Sequence, residues 1–600
     1  MSFNTFGTQV RRRIIFFILI SFIGSVVISL FQMQILENQS FEKKSNENSV
    51  KKEIIDAPRG IFYDRYFKVA ISNKPTFTFR ITPATYNKSR TSMIESVINS
   101  GSGFVDQVLK ENKHQSIYSP LRVKKDVDFN FVSWYEENSE NLPGVSYAVE
   151  LQRDYSFGIN ASHMLGYVKE ISMEQLDRNR EKYSQGDFVG YTGLEKQYEN
   201  YLCGEKGYRL YLIDSKQKPI GRYNEGKDDK IPQKGNDIVL TIDKQIQKIA
   251  EDAFMGKRGA LVAIEPSTGE ILAFVSSPSF NLADFDAVTS SKVLQEYIED
   301  ESKPLYNRAT MSINSPGSTF KVMNLIAALE TGIVTPETTI RCTGGIQYGD
   351  RFFGCMHTHG TISAVEAIEK SCNSYFYNII LKMDLDTWAD YARQFGFGSK
   401  PGIDIPEQAS GLVPDSDYYN RVVGKGKWAK GWTISLGIGQ GELGVSVAQL
   451  AKYAALVANN GKTKVPHLVK GYIRSEDREF SAFDFDDVKV NVSEKTFDIV
   501  KLGMYKVVNG NGSATNIRNA KIAIAGKTGT SQNPHGDNHA VFVGFAPFEK
   551  PEIAIAVLVE NVGFGSTHAA PIARDVIVAY LNNKRVNAEK QFIANAGKGN

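Results

Sequence analysis

Three short patterns in this chain combine residue types suited to acyl transfer. Ser318-Thr319-Phe320-Lys321 sets a hydroxyl and an amine one helical turn apart. At that spacing a base can reach a nucleophile that is otherwise too weak. Pro316-Gly317 forms a turn just before it, and Phe320, Val322, Met323, Leu325, Ile326 and Leu329 follow at helical spacing. These residues predict a buried helix with Ser318 at its N-terminus, where free amides and the helix dipole favour developing negative charge. Ser-x-x-Lys alone is a weak sign, since residues 40–43, 49–52 and 215–218 match it as well. Those lie in polar or turn-forming sequence with no buried helix after them, and they read as solvated side chains.

The second pattern, Ser371-Cys372-Asn373, follows a helix-like stretch at 364–370, and the third, Lys527-Thr528-Gly529-Thr530, closes an apolar strand. Ser-x-Asn is common by chance, and Ser312-Ile313-Asn314 is another; Lys-Thr-Gly-Thr at a strand end is rarer. Each residue has a chemical task. Lys321, desolvated and near a second cation, takes the Ser318 proton, while Ser371 relays a proton to the leaving amine. Asn373 orients a substrate amide. Lys527, Thr528 and Thr530 supply charge and hydroxyls for a terminal carboxylate. Gly529 keeps the strand edge clear so that an extended peptide can pair beside it. Backbone amides of Ser318 and Thr530 form an oxyanion hole, worth roughly a hundredfold to a thousandfold in rate per donor.

A second cluster surrounds the Ser371 motif. Cys342, Cys355, His359 and Cys372 follow one another at intervals of 13, 4 and 13 residues. They supply the three thiolates and one imidazole of a closed tetrahedral site, for which zinc is the fitting ion. Gly344, Gly345, Gly349, Gly354 and Gly360 let a short loop wrap it. Two alternatives stay open: His357 in place of His359, or a Cys342–Cys355 disulfide with Cys372 as a small buried filler. Cys203, with no partner nearby, reads as a buried inert thiol.

The elements that must position these groups are legible in outline. A chain of 600 residues exceeds one hydrophobic core. Its 42% hydrophobic and 23% charged residues and net charge of +3 describe a folded protein whose charge names no partner. No basic block with interleaved aromatics stands out, so no nucleic-acid partner is expected. Arg11, Arg12 and Arg13 precede an apolar run at 14–31 that is long enough to span a bilayer. Without a convincing cleavage site after it, the run reads as an uncleaved anchor, neither a secretory signal nor a buried core helix, with the chain from about residue 32 outside the cytoplasm. Residues 1–36 are thus the tail and transmembrane helix, 37–231 a polar linker (37–53) and a non-catalytic domain, 232–585 the catalytic domain, and 586–600 a mobile tail that begins its polar character at 582. Within the catalytic domain, 245–254 is helical and 259–264 with 270–275 forms a hairpin. Strands follow at 521–525, 540–545 and 553–559, and a helix at 572–581. Runs apolar on both faces predict a sheet covered by helices on each side, an α+β multi-domain chain.

In this order the three motifs resemble the signature of penicillin-binding proteins and the related serine beta-lactamases. Pro58-Arg59-Gly60-Ile61-Phe62-Tyr63-Asp64-Arg65 and Gly193-Leu194-Glu195-Lys196-Gln197-Tyr198-Glu199 resemble pedestal-domain motifs of the monofunctional class B enzymes. So do Gly439-Gln440-Gly441 and the segment 539–547 in the catalytic region. The likeness implies an elongated pedestal (dimerisation-type) domain and a transpeptidase domain with a mainly antiparallel central sheet. It also implies acylation of Ser318 by a peptidoglycan stem peptide ending in D-Ala-D-Ala, transfer to an amine of a neighbouring strand, and trapping by beta-lactams. The cysteine and histidine cluster is similar to a zinc site of the elongation-specific branch, penicillin-binding protein 2. That implies a place in the bacterial inner membrane, with the catalytic domain periplasmic or extracytoplasmic, beside a membrane-embedded glycan polymerase and other elongation proteins. A division-type transpeptidase and a beta-lactam sensor with little turnover are the alternatives. A hydrolytic beta-lactamase fits the anchor and long first domain less well, and no glycosyltransferase region is evident. Tyr66-Phe67 departs from the family's usual Asn-Gly and puts a turn there in question.

Overall fold

The computed structural model describes residues 6–32, 50–113, 117–118, 120–156, 158–214, 219–285, 291–534 and 536–596. Two compact units emerge, Met1–Pro58 with Gly204–Gly235, and Arg59–Cys203 with Asn236–Asn600.

The first unit contains helix α1, Phe6–Phe31. Its stretch Gln9–Phe31, 23 residues long, has none of its apolar window buried, and it is the one helix among the described residues long and apolar enough to cross a membrane. At 1.5 Å per residue it reaches about 35 Å, slightly more than a bilayer's apolar core. The unit also holds a three-stranded sheet in which Val50–Ile55 pairs antiparallel with Gly207–Ile213, and that strand with Pro219–Arg222. Residues 50–53, expected to be linker, therefore form a strand. The rest of that linker, 37–49, and the Ser-x-x-Lys matches at 40–43 and 215–218 lie outside the described residues.

The second unit is built on two large sheets. In chain order the strands of these two sheets are β1 Phe62–Tyr63, β2 Val69–Ile81, β3 Leu121–Val127, β4 Val145–Asp154, β5 Asp237–Leu240, β6 Gly259–Ile264 and β7 Ile271–Ser277. They continue as β8 Val469–Ile473, β9 Phe480–Ala482, β10 Ala525–Ser531, β11 His539–Ala546 and β12 Ile553–Val559. One sheet runs β9-β8-β5-β1-β2-β3 with β4 also on β2. It joins strands from before and after residue 232, while residues 204–235 themselves belong to the first unit. The question raised by Tyr66-Phe67 is answered there. The turn between β1 and β2 forms, Asp64 Oδ1 accepting the N–H groups of Tyr66 and Lys68 at 2.9 Å each, with Phe67 at φ +60 where glycine would be unstrained.

The other sheet, β7-β6-β12-β11-β10, is antiparallel throughout. Every residue of β6 and β12 is buried, as expected of strands covered on both faces. Each such Val, Leu or Ile contributes about 1.5–3 kcal/mol over an exposed one. The covering helices are α2 Lys244–Ala253, α3 Lys321–Glu330, α4 Ala364–Glu369, α5 Asn373–Lys382, α6 Val447–Ala458, α7 Glu494–Asn509 and α8 Gly565–Ala596. α2 and α8 pack together on one side of the sheet; α6 crosses β6, β11 and β12, and α7 lies on β10.

Two expectations are corrected here. Lys527-Thr528-Gly529-Thr530 does not close a strand spanning 521–525; it is the middle of β10, because the Asn519 side chain caps the N–H groups of Lys521 and Ile522 in a turn instead. The expected tail is helical as far as Ala596, since α8 runs on past residue 581, and only 597–600 lie outside the described residues.

Candidate active site

Ser318 is half-buried in a 3-10 turn, Gly317–Phe320, that leads straight into α3. Gly317 makes this turn, with φ +56 and its N–H donated to Gly439 O at 2.9 Å. A Cβ on Gly317 would stand 2.6 Å from Thr530 O, and one on Gly529 would stand 2.9 Å from Pro316 O. The Ser318 turn and β10 therefore touch backbone to backbone. A strand's Cβ points off the sheet face and not along its edge, so Gly529 serves this close approach, and not the clear edge assigned to it from sequence. That edge is open for a different reason: β10 ends the sheet and pairs only with β11 among the described strands.

α3 is apolar nearly all round, with residues 321–328 all buried. It lies inside the domain and carries the Lys321 amine with it. Lys321 Nζ donates to Ser371 O at 2.8 Å, Ser371 Oγ at 3.2 Å and Asn373 Oδ1 at 2.6 Å. Lys527 is equally buried, and its Nζ donates to the same Ser371 Oγ at 2.8 Å and to Thr528 O at 3.1 Å. Burial pushes Lys321 down to about 7, against the opposing pull of Cys355 and then Cys372. Burial first, then the neighbouring Lys321 charge, pushes Lys527 well below the ordinary lysine range.

Ser371 adopts φ +54, a left-handed conformation that costs a residue with a side chain about 1–3 kcal/mol. It is held there between α4 and α5, its N–H on Ile368 O and that of Cys372 on Ala367 O. Asn373 opens α5, and its Nδ2 donates to Gly354 O at 3.1 Å. Thr528 Oγ1 lies 2.6 Å from Ser513 Oγ, and Thr530 O accepts from Gln440 Nε2 at 3.0 Å. All eight residues singled out from the three motifs thus meet in one place. Ser513 carries no sequence signal. Gln440 carries one only through the Gly-Gln-Gly triplet, whose Gly439 O anchors Gly317.

The cysteine cluster adjoins this site. Cys342, Cys355, His359 and Cys372 each offer one ligand atom, all within 4.8 Å of one another. Both Cys342 Sγ and Cys355 Sγ lie 3.6 Å from His359 Nδ1, and Cys355 Sγ lies 3.9 Å from Cys372 Sγ. Ligands 2.0–2.3 Å from a tetrahedral ion stand about 3.5–3.8 Å apart, so the donor set fits such an ion in both chemistry and spacing. All four cysteines of the chain are free thiols, so the Cys342–Cys355 disulfide alternative is not what forms. His357 contributes its backbone carbonyl to Cys342 Sγ, and His359 is the residue whose ring enters the cluster. The Cys355 thiol is pulled well below its ordinary range by donors from Cys372 and from the backbone of Ser374, His357 and Asn373. Cys203 is half-buried and accepts from Tyr183 OH at 3.9 Å, so it is not the isolated thiol expected.

Outside the site, the two pedestal motifs bind each other. Arg59 pairs with Glu195 and Glu199 at 2.6 Å each, and Arg153 pairs with the fully buried Glu195 at 2.8 Å. One further expectation is corrected. A basic segment with interleaved aromatics does exist: residues 421–432 hold Arg421, Lys425, Lys427, Lys430, Trp428 and Trp432 and no acid, a feature hidden by near-neutral charge over the whole chain.

A serine turn, two buried lysines sharing a second hydroxyl, and an unpaired antiparallel edge define a serine acyl-transferase that works on peptide ends. Residues 259–578 match the penicillin binding protein transpeptidase domain and 54–240 the penicillin-binding protein dimerisation domain, and the chain belongs to the penicillin-binding protein family. It is 33% identical to the peptidoglycan D,D-transpeptidase MrdA of Acinetobacter baumannii, over 94% of this chain and 87% of that one. It is 29% identical to MrdA of Escherichia coli K12, over 98% and 97%. Among solved structures, penicillin-binding protein 2 of Helicobacter pylori in complex with MreC has a TM-score of 0.75 and 27% identity, over 88% of this chain and 99% of that one. A chain of a peptidoglycan synthase complex has a TM-score of 0.71 and 27% identity, over 95% and 98%.

Proposed function

We propose that this chain is a peptidoglycan D,D-transpeptidase that cross-links stem peptides through a Ser318 acyl-enzyme during cell-wall elongation. The single observation that carries the reading is the convergence of Lys321 and Lys527 on Ser371 Oγ beside the Ser318 turn. Lys321, brought down to about 7 by burial, accepts the Ser318 proton in its neutral form as Oγ attacks the carbonyl of the penultimate D-Ala. The amides of Ser318 and Thr530 receive the oxyanion. Ser371, fed by both lysines, returns a proton to the departing D-Ala amine. Asn373, Lys527, Thr528 and Thr530 hold the donor peptide along β10, whose open edge suits strand addition. Beta-lactams acylate the same serine. Water in place of the acceptor amine gives carboxypeptidase activity.

Cys342, Cys355, His359 through Nδ1, and Cys372 would hold a zinc ion. With four protein ligands it leaves no position for a reacting water, so its contribution is structural: Cys372 ties the cluster to the flanking Ser371 and Asn373. Elongation over division, and assembly beside a glycan polymerase, are supported by the relatives named MrdA and by the solved synthase complex. The anchor α1 sets the protein in the inner membrane with its catalytic domain outside the cytoplasm. Ser318→Ala is expected to abolish labelling by a fluorescent penicillin while membrane insertion persists; continued labelling overturns the assignment.

A further inference from the structure

The segment 421–432 is used by nothing described above. Lys425, Lys427 and Lys430 are exposed, and neither they nor Arg421 enters an ion pair among the described residues, though Lys430 is near enough to Asp384 to add to the Thr387 N–H in holding its carboxyl below the usual carboxylate range. The segment is rooted firmly. Tyr419, 1% exposed, donates its hydroxyl to Glu442 at 2.8 Å and stacks on Trp428, whose Nε1 donates to Asn420 Oδ1 at 2.9 Å. Trp432 meets Tyr419 edge-on yet remains 47% exposed, and Tyr348, 40% exposed, lies against Gly431. A rigid base thus displays cations and the faces of aromatic rings to solvent, whereas a merely solvated loop needs no buried tyrosine beneath it.

Its position is tied to the reaction centre. Trp432 lies within the 3-10 rod Lys430–Ile438, which ends at Gly439, the acceptor for Gly317 N–H beside Ser318. At about 2.0 Å per residue, Trp432 is about 14 Å along the rod from that anchor. An extended peptide of four or five residues spans such a distance at about 3.3 Å each.

We propose that residues 421–432 with Tyr348 form the binding surface for the acceptor, an un-cross-linked glycan strand whose stem peptides carry free carboxylates. This rests on the transpeptidase reading above and names the second substrate's subsite. The lysines pair with carboxylates, and the indole and phenol faces stack on the apolar faces of sugar rings. A strand held there presents its amine to the Ser318 ester. The nitrogen bonds to the acyl carbon, the Ser318 Oγ–carbon bond breaks, and the amine's proton returns to Oγ.

The test uses the full-length protein in detergent and two variants, Lys425→Gln/Lys427→Gln and Trp432→Ala. Acylation by a fluorescent penicillin, which needs no acceptor, is expected to match wild type within about twofold, which also reports folding. Affinity for purified un-cross-linked glycan strands is expected to fall at least about tenfold, with the lysine variant losing most of the salt dependence. Product is expected to shift from cross-linked peptide to hydrolysed peptide. Unchanged strand affinity and cross-linking overturn the proposal. So does equal loss of binding to a DNA oligonucleotide of matched charge, which marks a general polyanion surface, or a loss confined to anionic phospholipid vesicles. Failure of the transpeptidase reading itself looks different: wild type would then not be labelled by penicillin at all.

Discussion

Lys321 and Lys527, from a buried helix and an edge strand 206 positions apart in sequence, direct their amines at one oxygen, Ser371 Oγ, at 3.2 and 2.8 Å. Two buried ammonium groups sharing one hydroxyl repel each other: the Lys321 charge adds to burial in pushing Lys527 below the ordinary lysine range, while burial itself brings Lys321 down.

This makes the reaction pH-dependent. Burial holds Lys321 at about 7, so its basic form grows as pH rises through that value. Penicillin acylation should therefore accelerate over roughly pH 6 to 8 and then level off. Lys321→Arg, which stays protonated, should react slowly with a flat profile. Stability has the same sign. The unfolded lysine binds its proton up to about 10.4, the folded one only to about 7, so this residue's contribution improves as pH rises between those values. A stopped-flow acylation series checks the rate, and urea melts check the stability.

Metal analysis should find about one zinc per chain, with four titratable thiols after chelation and unfolding. Cys355→Ser should lose the metal and slow penicillin acylation by at least about tenfold, because Cys355 Sγ also receives the Asn373 N–H at 3.2 Å. Full activity in a metal-free protein would separate the cluster from the site.

Gly317→Ala should be severe without touching any reacting group. The left-handed backbone alone costs roughly 1–2 kcal/mol, and the new methyl carbon meets Thr530 O at 2.6 Å. A lowered melting temperature together with acylation reduced well beyond it is expected, since β10 must retreat from the serine turn. Wild-type kinetics would show that this contact has no part in positioning Ser318.

Glu195→Ala should destabilise the protein by about 3–5 kcal/mol, because Arg153 and Arg59 lose a fully buried counter-charge. Refolded protein should still bind penicillin. A double-mutant cycle with Arg153→Ala should show coupling well above about 1 kcal/mol, and additive losses would count against the pair.

Much of the site was legible because its chemistry is carried by local spacing. Ser318 and Lys321 are one turn apart on a helix, so their association follows from helix geometry alone. The cysteines and His359 lie within one short stretch, which limits how far apart they can be. Strand ends were less legible: residues 521–525 look like a strand by apolarity, but the Asn519 side chain bonds the backbone there, and β10 starts at Ala525. The first residues of the unit-one sheet were missed because Val50–Ile55 carries three charged residues in a row, Lys51, Lys52 and Glu53, and is held by its partner strand, not by its own pattern.

Residue types and short spacings were enough to pick out the nucleophile, its base, the anchor helix and a cluster of three thiols with a histidine beside them, the choice of histidine staying open. Only the tertiary structure decided that Lys527 shares Ser371 Oγ with Lys321, that Gly317 and Gly529 exist to let two backbones touch, and that His359 and not His357 faces the thiols. Those relations join segments scores of residues apart, or depend on which way a ring turns in a packed loop. Their free energies come from burial and from contacts that do not exist until the chain has closed on itself.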